Sequence, residues 1–182
     1  VTTGHVFREL GILPSTSINQ AQTALQQRGL AFVPLSAISP GIHNLLALRA
    51  RMGVRNSAHS LVKMIDPFRG EGVLIAAATH PEFMELTRDL QLTLNRTAIL
   101  LRGTEGEPFA NPKRRPRLEY IHEGQCDVLF EAEHDSLRAL PNLPEAIDAA
   151  ATAAWIRRVL DHQLPLPKPI ANQLACCLLA SG

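Results

Sequence analysis

The sequence predicts an α/β fold, with a mainly parallel central sheet and helices on both of its faces. Apolar segments of strand length recur at Leu30–Val33, Gly72–Ala78 and Thr97–Leu101, and they lack alternating polar residues. Runs of this kind are typical of parallel strands that are covered on both faces. Segments with apolar residues at helical spacing alternate with these runs, and a β-α-β-α order indicates an α/β sheet.

The expected helices follow from caps, breakers and apolar stripes. They are predicted over 17–29, 40–53, 58–65, 81–90, 144–162 and 168–179. The segment 103–117 is rich in Gly, Pro and basic residues, so it is predicted to be a surface loop. After it, 118–121 and 127–132 are predicted to form a pair of less buried strands, added as a hairpin.

Composition limits the class of protein. The chain has 182 residues, of which 46% are apolar and 19% charged, and this composition indicates a globular protein rather than a disordered one. The formal net charge is +1, so any binding of nucleic acid must depend on local charge. Three cysteines and no signal-type N-terminus predict a reduced cytoplasmic protein. No apolar run reaches the roughly 18–20 residues of a membrane span, so no membrane partner is expected.

The start of the chain is typical of a fragment. The first residue is Val1, and a helical pattern is already present by Val6. Native chains usually begin with a looser segment. A missing N-terminal part is therefore expected, and a complete domain that begins at Val1 is the alternative.

A basic loop is the clearest functional signal in the sequence. Four of the five residues from 113 to 117 are cations: Lys113, Arg114, Arg115 and Arg117. Such a cluster can neutralise phosphates and release counterions. The alternative is a solvated loop without a ligand. Tyr120 is the only aromatic residue that follows the loop closely in sequence, so phosphate contacts are expected rather than base stacking.

Other motif candidates are weaker. Arg49 lies in a run of arginines where a helix ends, and it either complements the helix dipole or contributes to an anion site. Lys63 lies in an apolar helical segment, and it either binds an anion or extends from the helix flank. The histidines and cysteines lack metal-ligand spacing, so no metal site is predicted. Cys176 and Cys177 are interpreted as core residues.

Several segments, in order, resemble glycosyltransferase family 3, a family that includes anthranilate phosphoribosyltransferase. They are Leu30–Leu35, Pro40–His43, Leu48–Arg55 and Thr97–Gly106, within a resemblance that covers about residues 4 to 180. The resemblance implies the large α/β domain of the nucleoside phosphorylase/phosphoribosyltransferase type, so 1–182 would be a C-terminal α/β domain. It also implies that the helical N-terminal domain, with most of the homodimer contact, and the glycine-rich loop for phosphoribosyl pyrophosphate lie upstream of Val1.

The sequence also departs from the enzyme pattern of that family. Val62 and Lys63 replace a glycine-proline pair, and Pro108 and Phe109 stand where the family has an acidic pair that helps to hold magnesium. Glu105 and Glu107 lie nearby in the same turn. Magnesium is therefore expected only if the intact protein is a transferase, and this fragment is predicted to hold no cofactor. Arg49 matches the arginine that approaches the anthranilate carboxylate in the enzyme.

These departures, together with the basic loop, resemble the YbiB-type branch of the family. That resemblance implies nucleic-acid binding, independent of sequence, on a scaffold without tryptophan-pathway activity. The residues expected to contact nucleic acid are Lys113, Arg114, Arg115, Arg117, Lys63 and Arg102. The alternative is a magnesium-dependent phosphoribosyltransferase that acts on anthranilate or another aromatic nucleophile, with Arg49 as the residue that orients the acceptor. A third possibility is an interaction domain with neither activity.

Overall fold

The computed structural model describes residues 1–68, 72–104, 107–135, 143–144 and 146–182. The described helices are α1 (Thr3–Glu9), α2 (Ile18–Arg28), α3 (Leu35–Ile38), α4 (Pro40–Ala47), α5 (Arg49–Met52), α6 (Ala58–Leu61), α7 (Pro81–Thr93), α8 (Ala149–Leu160) and α9 (Lys168–Ala180), and a 3₁₀ turn covers Val62–Met64. The described strands are β1 (Leu74–Ala78), β2 (Ala98–Arg102), β3 (Leu118–His122) and β4 (Gln125–Phe130).

The chain forms two compact units, each built from two segments. One unit comprises Val1–Val62 and Asn142–Pro165, and the other comprises Lys63–Pro141 and Leu166–Gly182. In the described part of the chain, every strand belongs to the second unit, which we call the sheet unit. The first unit is helical, and we call it the helical unit.

In the helical unit, helix α1 packs against helix α8, and local signals set the helix ends. The Ser17 hydroxyl accepts a hydrogen bond from the Gln20 N–H and caps α2. Gly29 ends the same helix in the left-handed region, at φ 69°. Helix α8 begins at Ala149, where the Asp148 carboxylate accepts the Ala151 N–H, rather than near 144; residue 145 lies outside the described residues.

The prediction of a buried strand at Leu30–Val33 is wrong. The described chain forms only an isolated parallel bridge there, between Pro14 and Phe32. A strand needs a neighbour with free N–H and C=O groups, but one bridge partner is Pro14, which has no N–H, and Pro34 follows Phe32 by two residues. The Phe32 ring instead packs edge-on against Phe7, with the ring centroids 5.3 Å apart. The apolar run thus contributes Phe32 to a contact with helix α1 instead of forming a strand.

The sheet has the order β1-β2-β3-β4 and is mixed, so the predicted mainly parallel sheet is wrong. Only β1 and β2 pair in parallel, and the other two pairs are antiparallel. The connections explain the difference. Helix α7 carries the chain back between β1 and β2, whereas β3 and β4 are joined by Glu123 and Gly124, both at positive φ. A two-residue link of this kind can join only antiparallel strands.

Helices cover both faces of the sheet, as predicted. On one face, Ile99, Leu101 and Leu118 pack with Cys176 of α9. On the other face, Leu100 and Ile121 pack with side chains that include Met84 of α7. The expectation that both hairpin strands are poorly buried is wrong for β3, because that strand lies between two neighbours and beneath both helices. Strand β4, at the edge, is mostly exposed or half-buried.

Within the described residues, helices are too short or too polar to cross a membrane.

Candidate functional site

One end of the sheet gathers the loops that carry the predicted binding residues. The register pairs Leu101 with Leu118 and Leu118 with Phe130. The carboxyl end of β2, the amino end of β3 and the carboxyl end of β4 therefore lie side by side. Ligands of α/β sheets commonly bind beyond the carboxyl ends of the strands.

An open cavity of about 530 Å³ lies at this end of the sheet. Its walls come from residues 102–104 after β2, residues 111 and 114–117 before β3, and residues 132–134 after β4. The charged side chains among the described lining residues are Arg102, Arg114, Arg115, Arg117 and Glu133. We call this space the arginine cavity. Four guanidinium groups against one carboxylate give the described lining an excess of positive charge, which favours anions over cations.

Helix α9 holds the beginning of the basic loop in place. The Gln173 side-chain oxygen accepts the Ala110 N–H at 2.7 Å, and its amide nitrogen donates to the Pro108 carbonyl at 2.9 Å. Ala110 is fully buried. Within the loop, the Asn111 side chain accepts the Lys113 N–H at 2.9 Å. These bonds order the backbone, which lowers the conformational entropy lost when a ligand binds.

Arg115 is already engaged with the protein. Its Nη1 lies 3.5 Å from a Glu133 carboxylate oxygen and donates to the Asn172 side chain at 3.0 Å. Its guanidinium also lies over the Phe130 ring, 4.9 Å from the ring centroid. The side chain is only 17% exposed. Arg115 thus holds the loop against β4 and α9, and it has little capacity left for a phosphate.

Three other cations differ from Arg115 in exposure and pairing: Lys113, Arg114 and Arg102. All three residues are exposed. Their charged groups form no hydrogen bond or ion pair with any residue that the structure describes. Arg102 and Arg114 both line the arginine cavity, whereas Lys113 does not. The structure therefore brings together in one cavity two guanidinium groups that lack a partner among the described residues, from positions twelve residues apart in the chain.

Arg117 belongs to a buried ion-pair cluster. Glu119, 2% exposed in β3, accepts two hydrogen bonds of 2.9 Å from Arg88 of α7 and lies 3.0 Å from Arg117 Nε. The hydrogen bonds to Glu119 raise the pKa of the Arg88 guanidinium. Burial raises the pKa of the nearby Cys126 thiol, and the Glu119 carboxylate adds to the effect. Half of the Arg117 side chain is still exposed, so it retains donors for a ligand.

Lys63 and Arg49 lie elsewhere. The Lys63 ammonium donates to the Ala77 carbonyl near the end of β1 at 3.4 Å, and Lys63 is not among the residues that line the arginine cavity. Arg49 is exposed on the short helix α5 of the helical unit. Neither residue joins the arginine cavity, and their predicted ligand contacts stay predictions.

The turn after β2 is tightly built. Thr104 and Glu107 exchange two backbone hydrogen bonds, and a Cβ added at Gly103 would lie 2.7 Å from the Glu107 carbonyl oxygen. Glu105 and Gly106 lie outside the described residues. The described part of the turn offers one carboxylate, Glu107, and magnesium is usually held by one or two carboxylates together with substrate phosphates. Nowhere in the described chain do three or more His, Cys, Asp or Glu side chains group as metal ligands would.

The sequence interpretation missed Arg88, Glu119, Asn172 and Gln173, which support the cavity walls. A signal existed for Glu119, because it is a carboxylate at an inward position of a strand between apolar residues. Charged residues are almost never fully buried unless they are paired. The pairing itself crosses 31 positions in the chain, so its partner could not be read from local patterns.

Comparisons with known proteins show that this chain has a distant similarity to a phosphoribosyltransferase. No protein-family model matches the chain. The chain is 39% identical over 183 residues to the uncharacterized protein YbiB of Escherichia coli (strain K12), a match that covers 100% of this chain and 57% of that protein. It is 25% identical over 125 residues to the anthranilate phosphoribosyltransferase of Synechococcus sp. (strain RCC307), which covers 69% of this chain and 36% of that protein. The chain therefore spans little more than half of one relative and about a third of the other. It is similar to both and distantly related to a phosphoribosyltransferase scaffold.

Proposed function

We propose that this protein binds nucleic acid independently of sequence, through phosphate contacts made in the arginine cavity and by the basic loop around it. The observation that carries the proposal is the convergence of Arg102 and Arg114, both exposed and both without a described partner, in one cavity. Arginine donates in a planar fork that fits phosphate oxygens. Contacts of this kind position a nucleic acid without reading its bases.

The roles of the loop cations differ in this proposal. Arg102, Lys113 and Arg114 supply the contacts with phosphates. Arg117 contributes from its exposed half while Glu119 orients it. Arg115 keeps the loop in place through Glu133, Asn172 and Phe130, so we assign it a positioning role.

The test is a titration of labelled single-stranded DNA at several salt concentrations. A variant with Arg102, Lys113 and Arg114 changed to Ala is compared with the unchanged protein. Each lost phosphate contact lowers the salt slope by about 0.7 for single strands, so the variant slope should fall by about 2. A charge-matched control changes three exposed arginines of the helical unit to Ala: Arg8, Arg28 and Arg158.

Two results would contradict the proposal. One is the absence of DNA binding by the unchanged protein at low salt. The other is an equal fall in slope for the control variant, because the binding would then depend on overall charge rather than on the arginine cavity.

A second candidate function is phosphoribosyl transfer, favoured by the match to an anthranilate phosphoribosyltransferase over 125 residues. In that case Arg49 would orient an acceptor carboxylate. The discriminating assay supplies phosphoribosyl pyrophosphate, magnesium and anthranilate to the protein and measures product. Turnover that falls with Arg49→Ala and survives the triple change in the basic residues would favour the enzyme over the binding protein.

A further inference from the structure

A second cavity adjoins the arginine cavity. It measures about 470 Å³, and both cavities share the wall formed by residues 132–134. Lys113 and Asp135 also line the second cavity, together with Lys168 and Pro169 at the start of α9. We call it the lysine cavity. The shared wall makes the two spaces neighbours at the same end of the sheet.

The lysine cavity carries uncommitted positive charge. Lys113 and Lys168 are exposed, and neither ammonium group has a hydrogen bond or ion pair with a residue in the described ranges. Of the two carboxylates, Glu133 is paired with Arg115 at 3.5 Å. Only Asp135 opposes the lysines directly. Along both cavities together, the charged lining residues are Arg102, Lys113, Arg114, Arg115, Arg117 and Lys168 against Glu133 and Asp135.

On the opposite side of the arginine cavity, the balance of charges is less favourable for a polyanion. A space of about 250 Å³ lies there and shares Arg102 and Arg117 with it. Its other cation is Arg88, which donates both of its bonds to Glu119, and Glu85 adds a second carboxylate. A polyanion that extends beyond the arginine cavity therefore meets more positive charge on the side of Lys168.

We infer that the two cavities form one continuous path for the phosphates of a nucleic-acid strand, running from Arg102 past the basic loop to Lys168. This inference rests on the proposed function. One phosphate group can occupy one cavity, but cations on both sides of the wall at 132–134 are engaged together only by a ligand with several linked phosphates. The ligand class is thus an oligonucleotide or a longer strand, and Lys168 is a phosphate-contacting residue.

The experiment compares two ligands and two variants. The ligands are a thymidylyl dinucleotide, with one phosphodiester, and an oligothymidylate of about a dozen nucleotides, within the usual footprint of single-strand binders. For Lys168→Ala, we expect binding of the longer ligand to weaken about fivefold at about 0.1 M salt, because one counterion is no longer released and the salt slope falls by about 0.7. Binding of the dinucleotide should stay unchanged. Lys168→Arg keeps the positive charge, so the affinity for the longer ligand should return to that of the unchanged protein.

The controls separate the two levels of the hypothesis. Arg28→Ala removes one exposed charge of the helical unit and should leave both affinities unchanged. Circular dichroism should show that α9 stays folded in Lys168→Ala. If the protein binds the longer ligand and Lys168→Ala binds it equally well, the continuous path is wrong while the proposed function stands. If neither ligand binds the unchanged protein, both fail.

Discussion

Because the Glu119 carboxylate is buried, its two arginine partners should differ in how much each contributes to stability and to ligand binding. Arg88 donates two hydrogen bonds of 2.9 Å to Glu119, whereas Arg117 forms an ion pair in which its Nε lies 3.0 Å from a Glu119 oxygen. We predict that Arg88→Ala destabilises the sheet unit strongly and leaves ligand binding little changed. Arg117→Ala should do the reverse, since Arg117 lines the arginine cavity and Arg88 does not.

The magnitudes follow from burial. Removing one member of a buried ion pair costs about 3–5 kcal/mol, because the remaining charge is left without a partner. The Arg88 side chain is 29% exposed, and Glu119 keeps Arg117 at 3.0 Å when Arg88 is lost, so we expect the lower end, about 3 kcal/mol. The Arg117 side chain is 51% exposed, and Glu119 keeps both Arg88 bonds when Arg117 is lost. We expect that change to cost about 1 kcal/mol or less.

The assay is urea unfolding followed by far-ultraviolet circular dichroism, beside the DNA titration at several salt concentrations. The two compact units can unfold separately, so the transition of each variant is first checked for a second phase. Arg88→Lys is the conservative control, because it keeps the charge and loses the two-bond geometry. Equal destabilisation by Arg88→Ala and Arg117→Ala, or no effect of Arg88→Ala, would refute the reasoning.

Three further outcomes are expected. Gly103→Ala should lower stability by about 1–3 kcal/mol and weaken DNA binding, because its Cβ would lie 2.7 Å from the Glu107 carbonyl oxygen; thermal unfolding and the DNA titration measure both. Gln173→Ala should cost about 1–3 kcal/mol, because a buried backbone N–H loses its acceptor, and a smaller loss in urea unfolding would contradict this. Burial raises the pKa of the Cys126 and Cys176 thiols above the ordinary 9.0, so the unfolded chain loses those protons first and stability is lost as the pH rises above about 9. Thermal unfolding across that range should show the decline, and changing both thiols to Ala should reduce it.

Local patterns in the sequence were sufficient for most elements of the sheet unit. The apolar runs that became β1 and β2 are continuous because both faces of these strands are covered by helices. The basic loop was also visible, because Pro, Gly and four cations interrupt the pattern between two apolar segments. Its position at the end of the sheet followed from the predicted strands on either side. These features depend on residues that are close along the chain.

Other features required the tertiary structure. Arg114 and Arg115 are neighbours with the same charge in the sequence, yet one is exposed without a described partner and the other is held by Glu133 and Phe130. The difference depends on which side of the loop faces β4 and α9. The antiparallel direction of β3 likewise depends on how the chain returns after the loop. The apolar run Leu30–Val33 is typical of a strand. It does not form one, because the described chain pairs it through a single bridge.

Local sequence patterns were therefore enough to predict the main strands and helices of the sheet unit and the presence of a cationic loop. Three features depend on tertiary contacts: the mixed direction of the sheet, the buried Arg88–Glu119 pair, and the division of the cations into those that hold the loop and those that face the two cavities. Periodicity and turn chemistry act between near neighbours in the chain, whereas hydrogen bonds and ion pairs between strands and helices join residues that are tens of positions apart.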